Sequence, residues 1–243
     1  MKIIVGCSGS AGLSMAAYKS AFSAMEVQST FYRLPKLDTV KSWRSFFGEQ
    51  FVFTMKAYQG ITHRFDSPTW KKKNVRFPEG DPEKFGGLQP TQENFELWEK
   101  VIQFAKALKA EFVVVQLPPS FVKNQENLGN LVAFFGSVEK PFEVGVELRH
   151  TSWFEDPSEL KWILEKLSLV DVTDPFKRDP VSVGDTLYFR LHGLAKNYSY
   201  KFTDGDLKLL QKRIEQFDAK KCYVFFNNVN MATDAKRFIE LLA

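Results

Sequence analysis

Short runs rich in β-branched and aromatic residues alternate with longer amphipathic segments from one end of the chain to the other. Apolar runs of roughly four to eight residues read as strands, and apolar positions three and four apart read as one face of a helix. On that pattern strands are predicted over residues 2–7, 25–30, 51–57, 112–117, 143–148, 169–173, 186–192 and 222–227. Helices are predicted over 14–23, 37–47, 91–108, 125–135, 157–167, 204–217 and 231–242. Start signals support several of them: Asp38-Thr39 and Thr203-Asp204 as caps, and Thr91-Gln92-Glu93 opening the helix at 91. Strand–helix alternation with short connections implies parallel strands joined by right-handed crossovers. Eight such units predict an α/β chain folded as a single (β/α)8 barrel of the TIM type, one domain over residues 1–243. An open doubly wound sheet fits less well, because no Gly-rich dinucleotide turn follows the first strand.

The pattern breaks twice. Residues 174–185 include Pro175 and Pro180, too short and too proline-broken for a covering helix, so the sixth helix is predicted to be missing. Residues 58–90 lose all period and pass through Pro68, Pro78, Pro82 and Gly86-Gly87. A loop of that length leaving the C-terminal end of a strand reads as a lid whose distal part opens readily.

Chemistry in a β/α barrel collects where strands end, and side chains two apart share a face. The strand ends carry Cys7-Ser8-Gly9, Gln28-Ser29-Thr30, Lys56, Gln116, Glu147-Leu148-Arg149-His150, Asp174, Arg190-Leu191-His192 and Asn227-Asn228. Glu26 and Gln28, Glu147 and Arg149, and Arg190 and His192 are each two apart. If those faces look inward, the upper lumen is charged. Each buried ion costs several kcal/mol unless paired, so such placement points to a site.

Composition changes this picture little. Hydrophobic residues at 44% and charged residues at 26% are ordinary for a globular chain, while 24 phenylalanines suggest bulky core packing. A net charge of +4 neither demands nucleic acid nor excludes it. Cys7 falls at the top of the first strand and Cys222 at the bottom of the last, so a disulfide is not expected. The opening apolar run is too short for a signal peptide, and no stretch approaches the ~18 apolar residues of a membrane helix. A cytoplasmic, monomeric protein with no membrane partner and no cofactor is the expectation.

The three histidines, His63, His150 and His192, all follow strand ends. Histidine is the natural proton carrier near neutral pH. A purely structural role competes for each: His150 precedes a Thr-Ser-Trp turn it could bond, and His63 could merely pin the lid. Glu147 is the candidate general acid or base, with His192 its partner. Lys56, Arg149 and Arg190 form a candidate anion clamp, although Lys56 and Glu147 could equally be a structural ion pair. A metal held by Glu147, His150, His192 and Asp174 is the alternative. Against it stand the absence of close His–His spacing and the repulsion of nearby cations. Cys7 has no adjacent base, and Lys71-Lys72-Lys73 reads as a solvated face.

At these motifs the chain resembles the YecE-like proteins, grouped as domain of unknown function seventy-two. The resemblance rests on Val27-Gln28-Ser29-Thr30-Phe31-Tyr32, on Lys56-Ala57 with Ile61-Thr62-His63, and on Gln116-Leu117-Pro118-Pro119-Ser120-Phe121. It continues through Val146-Glu147-Leu148-Arg149-His150 with Ser152-Trp153-Phe154, Arg190-Leu191-His192-Gly193 with Tyr198-Ser199-Tyr200, and Phe226-Asn227-Asn228. Similarity to that family implies a TIM-type barrel but supplies no reaction. The chain departs from the family pattern at Gln28, where Asn is usual, and at Ser10, where tryptophan is usual.

The expectation is therefore an enzyme acting on a small anionic molecule, phosphorylated or carboxylated and sugar-like, by general acid–base chemistry. Its catalytic candidates are Glu147, His192, His150 and Lys56. Its binding candidates are Arg149, Arg190, Gln28, Tyr32, His63, Gln116, Asn227, Asn228 and Ser8. Two rivals stay open: a metal-dependent phosphodiesterase acting on nucleic acid, and a binding barrel without turnover.

Overall fold

Strand alternation decides which side chains enter the lumen. In the computed structural model, which describes residues 1–73 and 75–243, eight parallel strands each pair with the next in sequence. They are β1 (Lys2–Ser8), β2 (Ala24–Val27), β3 (Val52–Lys56), β4 (Phe112–Gln116), β5 (Glu143–Glu147), β6 (Val170–Thr173), β7 (Thr186–Leu191) and β8 (Lys221–Phe226). β8 returns to β1 in parallel register, Ile3 opposite Cys222 and Cys7 opposite Phe226, which closes the barrel. That register puts the two thiols at opposite ends of the β1–β8 pair, both buried and free. Burial pushes the Cys7 thiol up to about 12 and raises that of Cys222, so both behave as small core residues.

The lower lumen is apolar and aromatic, filled by Ile4, Phe112, Val114, Val172, Tyr188, Tyr223 and Phe225. Phe112 fits because β5 offers no side chain at its level. A Cβ on Gly145 would lie 2.6 Å from both Phe112 Cζ and Val172 Cγ2. Further along the same strand faces the lining becomes polar: Glu26, Lys56, Gln116, Glu147 and Arg190 stand two or four residues beyond the apolar layer. The opposite strand faces, among them Val113, Val115, Val146 and Phe189, pack under the helices.

The covering helices are α1 (Met15–Ala21), α2 (Ser29–Tyr32), α3 (Leu37–Phe47), α4 (Gln92–Leu108), α5 (Gln125–Ser137), α6 (Pro157–Lys166), α7 (Asp204–Glu215) and α8 (Met231–Leu242). Thr203 and Asp206 form a reciprocal capping box at α7, and the Thr91 hydroxyl caps α4. The expected cap at Asp38-Thr39 is not one: α3 starts at Leu37 behind Lys36, with no side-chain cap, and Asp38 sits in its first turn. β2 also ends earlier than expected. Thr30 donates its hydroxyl to the Lys56 carbonyl at 2.7 Å and to that of Val27 at 3.2 Å, which turns the chain into α2.

Between β6 and β7 no helix forms, as the prolines predicted. Asp171 organises that connection instead, accepting two bonds of 2.6 Å from Arg178 and one of 2.8 Å from the Val181 amide. The long segment after β3 differs from expectation. Its two ends are stitched together, Gly87 N to Thr62 O at 3.1 Å and Leu88 N to Ile61 O at 2.9 Å. Gly86 adopts φ +79° hard against the backbone of His63, where a Cβ would lie 2.6 Å away. Tyr58, Trp70, Phe77 and Phe85 form a chain of edge contacts, so the excursion carries its own apolar cluster rather than little apolar surface. Among the described residues no helix is long and apolar enough to cross a membrane.

Candidate functional site

Arg190 is the centre of the polar layer and is almost fully buried. Its Nε lies 3.0 Å from Glu26 Oε2, and Nη2 lies 3.0 Å from Glu26 Oε1. Nη1 donates to Glu147 Oε2 and, at 3.4 Å, to Gln116 Oε1. Glu26 further accepts from Ser8 Oγ at 2.7 Å, from Tyr188 OH at 2.7 Å and from Gln28 Nε2. Thr54 donates in turn to Tyr188 at 2.7 Å. Burial alone would lower the Arg190 guanidinium, but Glu147 and Glu26 outweigh it and hold the charge firmly. Arg190 thus has four of its five N–H donors engaged inside the protein, which leaves one Nη2 hydrogen for the expected clamp. It is a buried post with two carboxylates.

Glu147 is pulled the same way. Burial would raise its carboxyl, but Arg190, Arg149, His192 and Lys56 together hold it well below the carboxylate range. A group so held stays a carboxylate at neutral pH, the form in which the candidate general acid or base meets its neighbours. Its Oε1 accepts from Arg149 Nε at 2.8 Å and lies 3.8 Å from His192 Nε2. His192 is anchored from the other side. Its amide donates to Asp174 Oδ2 at 3.0 Å, and its Nδ1 lies 3.6 Å from the same oxygen. Arg149 Nη2 approaches His192 Nε2 at 3.4 Å. An imidazole oriented by a carboxylate, with its second nitrogen turned toward a rim of charge, can carry a proton.

Lys56 is the exception in this layer. It is 5% exposed, yet no carboxylate oxygen among the described residues lies within 4.0 Å of its ammonium. Its Nζ sits 3.5 Å from the centroid of the Phe31 ring. Burial, and next the Arg190 charge, push Lys56 well below its ordinary value. The ring face favours the ammonium by roughly 0.5–2 kcal/mol. That is less than the several kcal/mol an unpaired buried ion costs, so the direction stays downward. His63 stacks edge-on against the same Phe31 at 5.0 Å and bonds Thr62 Oγ1 through Nδ1 at 2.7 Å. Burial, with Lys56 and Arg149 behind it, lowers His63 to about 3, so it is neutral.

Two adjoining cavities open over this layer. One of about 510 Å³ is lined by Gln28, Phe31, Tyr32, Lys56, Gln116, Arg149, Arg190, Asn227 and Asn228. The other, about 680 Å³, is lined by Glu147, Arg149, Asp174, Lys177, Arg178, His192 and the loop after β7. Arg149, Asn197 and Tyr198 border both, so they form two lobes of one mouth. Asn197 and Tyr198 hold consecutive positive φ values of 64° and 60°, a conformation non-glycine residues adopt at a cost. A further cavity of about 770 Å³ lies between the long segment and α4, bordered like the first lobe by Tyr32 but away from the buried charges.

The sequence candidates divide accordingly. Lys56, Gln28, Tyr32, Gln116, Arg149 and Asn227 meet at one lobe and Glu147 and His192 at the other. Ser8 serves Glu26, and His63 backs Phe31 without lining either lobe. Asn228 donates to Tyr200 O at 2.7 Å and Asp234 at 2.8 Å, which ties the loop after β8 down, while its buried Oδ1 finds no partner among the described residues. His150 is not in the site. It starts the turn Thr151–Phe154, its Nδ1 bonded to Ser152 Oγ at 2.8 Å, which is the structural alternative its sequence context offered. Glu147, His150, His192 and Asp174 consequently do not converge, and among the described residues no three metal-ligating side chains do. Two residues were undervalued in the sequence. Glu26 shares a face with Gln28, which was visible, but its tie to Arg190 spans 164 positions. Asp174 follows β6 and carries His192, a pairing that only barrel closure brings about.

The family model described as protein of unknown function DUF72 matches residues 8–243. The UPF0759 protein YunF of Bacillus subtilis is 23% identical over 257 residues, covering 93% of this chain and 85% of that protein. A DUF72 family protein from Thermotoga maritima superposes with a TM-score of 0.73 at 23% identity, over 100% of this chain and 99% of its own. One from Enterococcus faecalis gives 0.76 at 20%, over 99% and 97%. A xylose isomerase-like TIM barrel/4-hydroxyphenylpyruvate dioxygenase fusion protein gives 0.51 at 14%, over 98% of this chain and 41% of that one. At such identities the solved structures bear on the fold, a TIM barrel.

Proposed function

We propose that this chain, which belongs to the DUF72 family, is an enzyme acting on a small anionic molecule at the mouth of its barrel. One observation carries the reading: Lys56 is buried without a carboxylate partner in a cavity that Arg149 also lines. A buried amine without a carboxylate partner costs the fold more than the ring contact returns, and its presence fits a ligand that completes the charge set. Arg149, a quarter exposed, is the anion-binding group, with Gln28, Gln116 and Asn227 able to bond hydroxyls or carbonyls. His192, steadied by Asp174, is the proton carrier in the adjoining lobe. Arg190 and Glu26 hold Glu147 in place rather than reacting. Whether the bond made or broken belongs to a hydrolase, lyase or isomerase depends on the substrate.

Thermal melting tests the anion. Phosphate should raise Tm more than chloride at equal ionic strength, by mass action on the folded state. Arg149→Met should remove most of that difference while leaving the fold intact, because Arg149 sits at the rim. An equal phosphate effect in the variant would rule out this mouth as the anion site.

A further inference from the structure

We propose that Lys56 is a covalent nucleophile, and that the anionic molecule carries an aldehyde or ketone carbonyl with which the lysine condenses. The inference rests on the anion-binding mouth proposed above and names its substrate class. Three features point to it.

The amine stands at the C-terminal end of β3 inside the lumen, with the Phe31 ring 3.5 Å from Nζ closing one side and the cavity opening on another. A reacting carbonyl must therefore approach from the cavity. Its charged neighbours are cations or already engaged. Glu147 is committed to Arg190 and Arg149, and Glu26 to Arg190, Ser8, Tyr188 and Gln28. Among the described residues no uncommitted carboxylate is left to hold an ammonium, which favours the free amine that nucleophilic addition requires. Finally, Arg149 borders the same cavity, and Gln28 and Gln116 offer amide groups toward a carbonyl-derived oxygen.

The balance is simple. The nitrogen lone pair forms a bond to the carbonyl carbon, and the amine proton passes to the oxygen, giving a carbinolamine. Uptake of one proton from solvent expels that oxygen as water and leaves a protonated imine. No oxidant or reductant is consumed. The positive charge that the pocket's own residues disfavour is then matched by the substrate's own anionic group, so charge and covalency arrive together. An uncharged aldehyde lacks that compensation and should react less readily.

Reductive trapping tests this on the full chain. Glyoxylate, pyruvate or glyceraldehyde 3-phosphate is incubated with cyanoborohydride near neutral pH, and the adduct is counted by intact mass and mapped by peptide mass spectrometry. The expected result is one adduct per chain, on Lys56, for at least one of these probes. It should form ahead of the exposed Lys71, Lys72 and Lys73, by about tenfold for each unit by which the buried amine is the weaker base. Phosphate should slow it, and propionaldehyde should give less of it. Lys56→Gln should lose the adduct while retaining a cooperative melt. Adducts spread over surface lysines, with Lys56 unmodified by every probe, overturn the proposal. If phosphate still stabilises the protein through Arg149 in that case, the anion site survives and only the covalent step falls.

Discussion

The polar layer allows two neighbouring substitutions to be predicted with opposite signs. Glu26→Gln removes a charge from Arg190, which donates to Glu26 through both Nε and Nη2 at 3.0 Å in a site 0–1% exposed. Removing one partner of such a pair costs about 3–5 kcal/mol, because the remaining ion stays buried. Lys56→Met removes an amine that folding must either bury charged or deprotonate, and keeps an unbranched, apolar chain against Phe31. Relief of desolvation, less the lost ring contact, should stabilise by about 1–3 kcal/mol. For a chain of this size each kcal/mol moves Tm by about 2–4 °C. At pH 7 Glu26→Gln should therefore melt roughly 6–20 °C below the parent, and Lys56→Met roughly 2–12 °C above it.

The pH dependence separates the cause from generic core effects. Folding lowers Lys56 below its ordinary value of 10.5, so the unfolded chain binds the extra proton throughout the window between the two. Within that window the parent gains stability as pH rises, and the advantage of Lys56→Met shrinks with it. Urea or thermal melts of parent and both variants at pH 7 and pH 10 measure this. A Lys56→Met protein less stable than the parent at pH 7 would mean that Lys56 is a paired structural ion. An advantage unchanged at pH 10 would refute the titration argument.

His63 gives a second pH test. Lowered to about 3 from 6.5, it stabilises fully above 6.5 and loses that contribution as pH falls toward 3, up to about 3 kcal/mol between pH 7 and pH 4. The acid limb of a His63→Gln variant should be flatter, and parallel limbs would remove His63 as the cause. In the long segment after β3, trypsin should cut first at the exposed Lys71–Lys73 run and later at Lys84, which precedes the buried Phe85 and the stitched Gly86–Leu88. Early cleavage at Lys84 would show that the segment is not anchored. Phosphate should slow the first cut, since Lys72 donates to Tyr32 OH at 2.6 Å and both line the mouth.

The barrel was legible because its signals are local. Every strand is a short apolar run, and the prolines at 175 and 180 mark the connection where no helix forms. The charged lumen was legible too, since period-two placement puts Glu26 with Gln28 and Arg190 with His192 on one face. Partner choice was not. Alternation says that Lys56, Arg149, Arg190, Glu26 and Glu147 share a ring, but not which carboxylate each cation takes. That depends on the heights at which strands far apart in sequence project their side chains. Three cations read as a clamp in one dimension become, once the ring closes, one buried post held by two carboxylates, one rim group and one amine without a carboxylate partner among the described residues. The long segment misled for a related reason: Tyr58, Trp70, Phe77 and Phe85 have no common period, and their contact needs a folded loop.

Charge counting in the ring links these points. With Arg190 and Arg149 set against Glu26 and Glu147, the layer balances when Lys56 carries no charge. Protonating Lys56 then gives this ring one positive charge more than its two carboxylates offset. An anion bound beside Arg149 reverses this, because it favours the ammonium, or an iminium formed from it, by supplying the missing charge. Anion binding and proton uptake are therefore coupled through one residue, and each must strengthen the other by the same factor. Phosphate affinity should rise as pH falls below 10.5 through the lowered Lys56 titration and be accompanied by net proton uptake, read by calorimetry in buffers of different ionisation enthalpy. Lys56→Met should abolish the uptake attributable to this site yet retain binding through Arg149. Uptake that persists in that variant would assign the proton to another group.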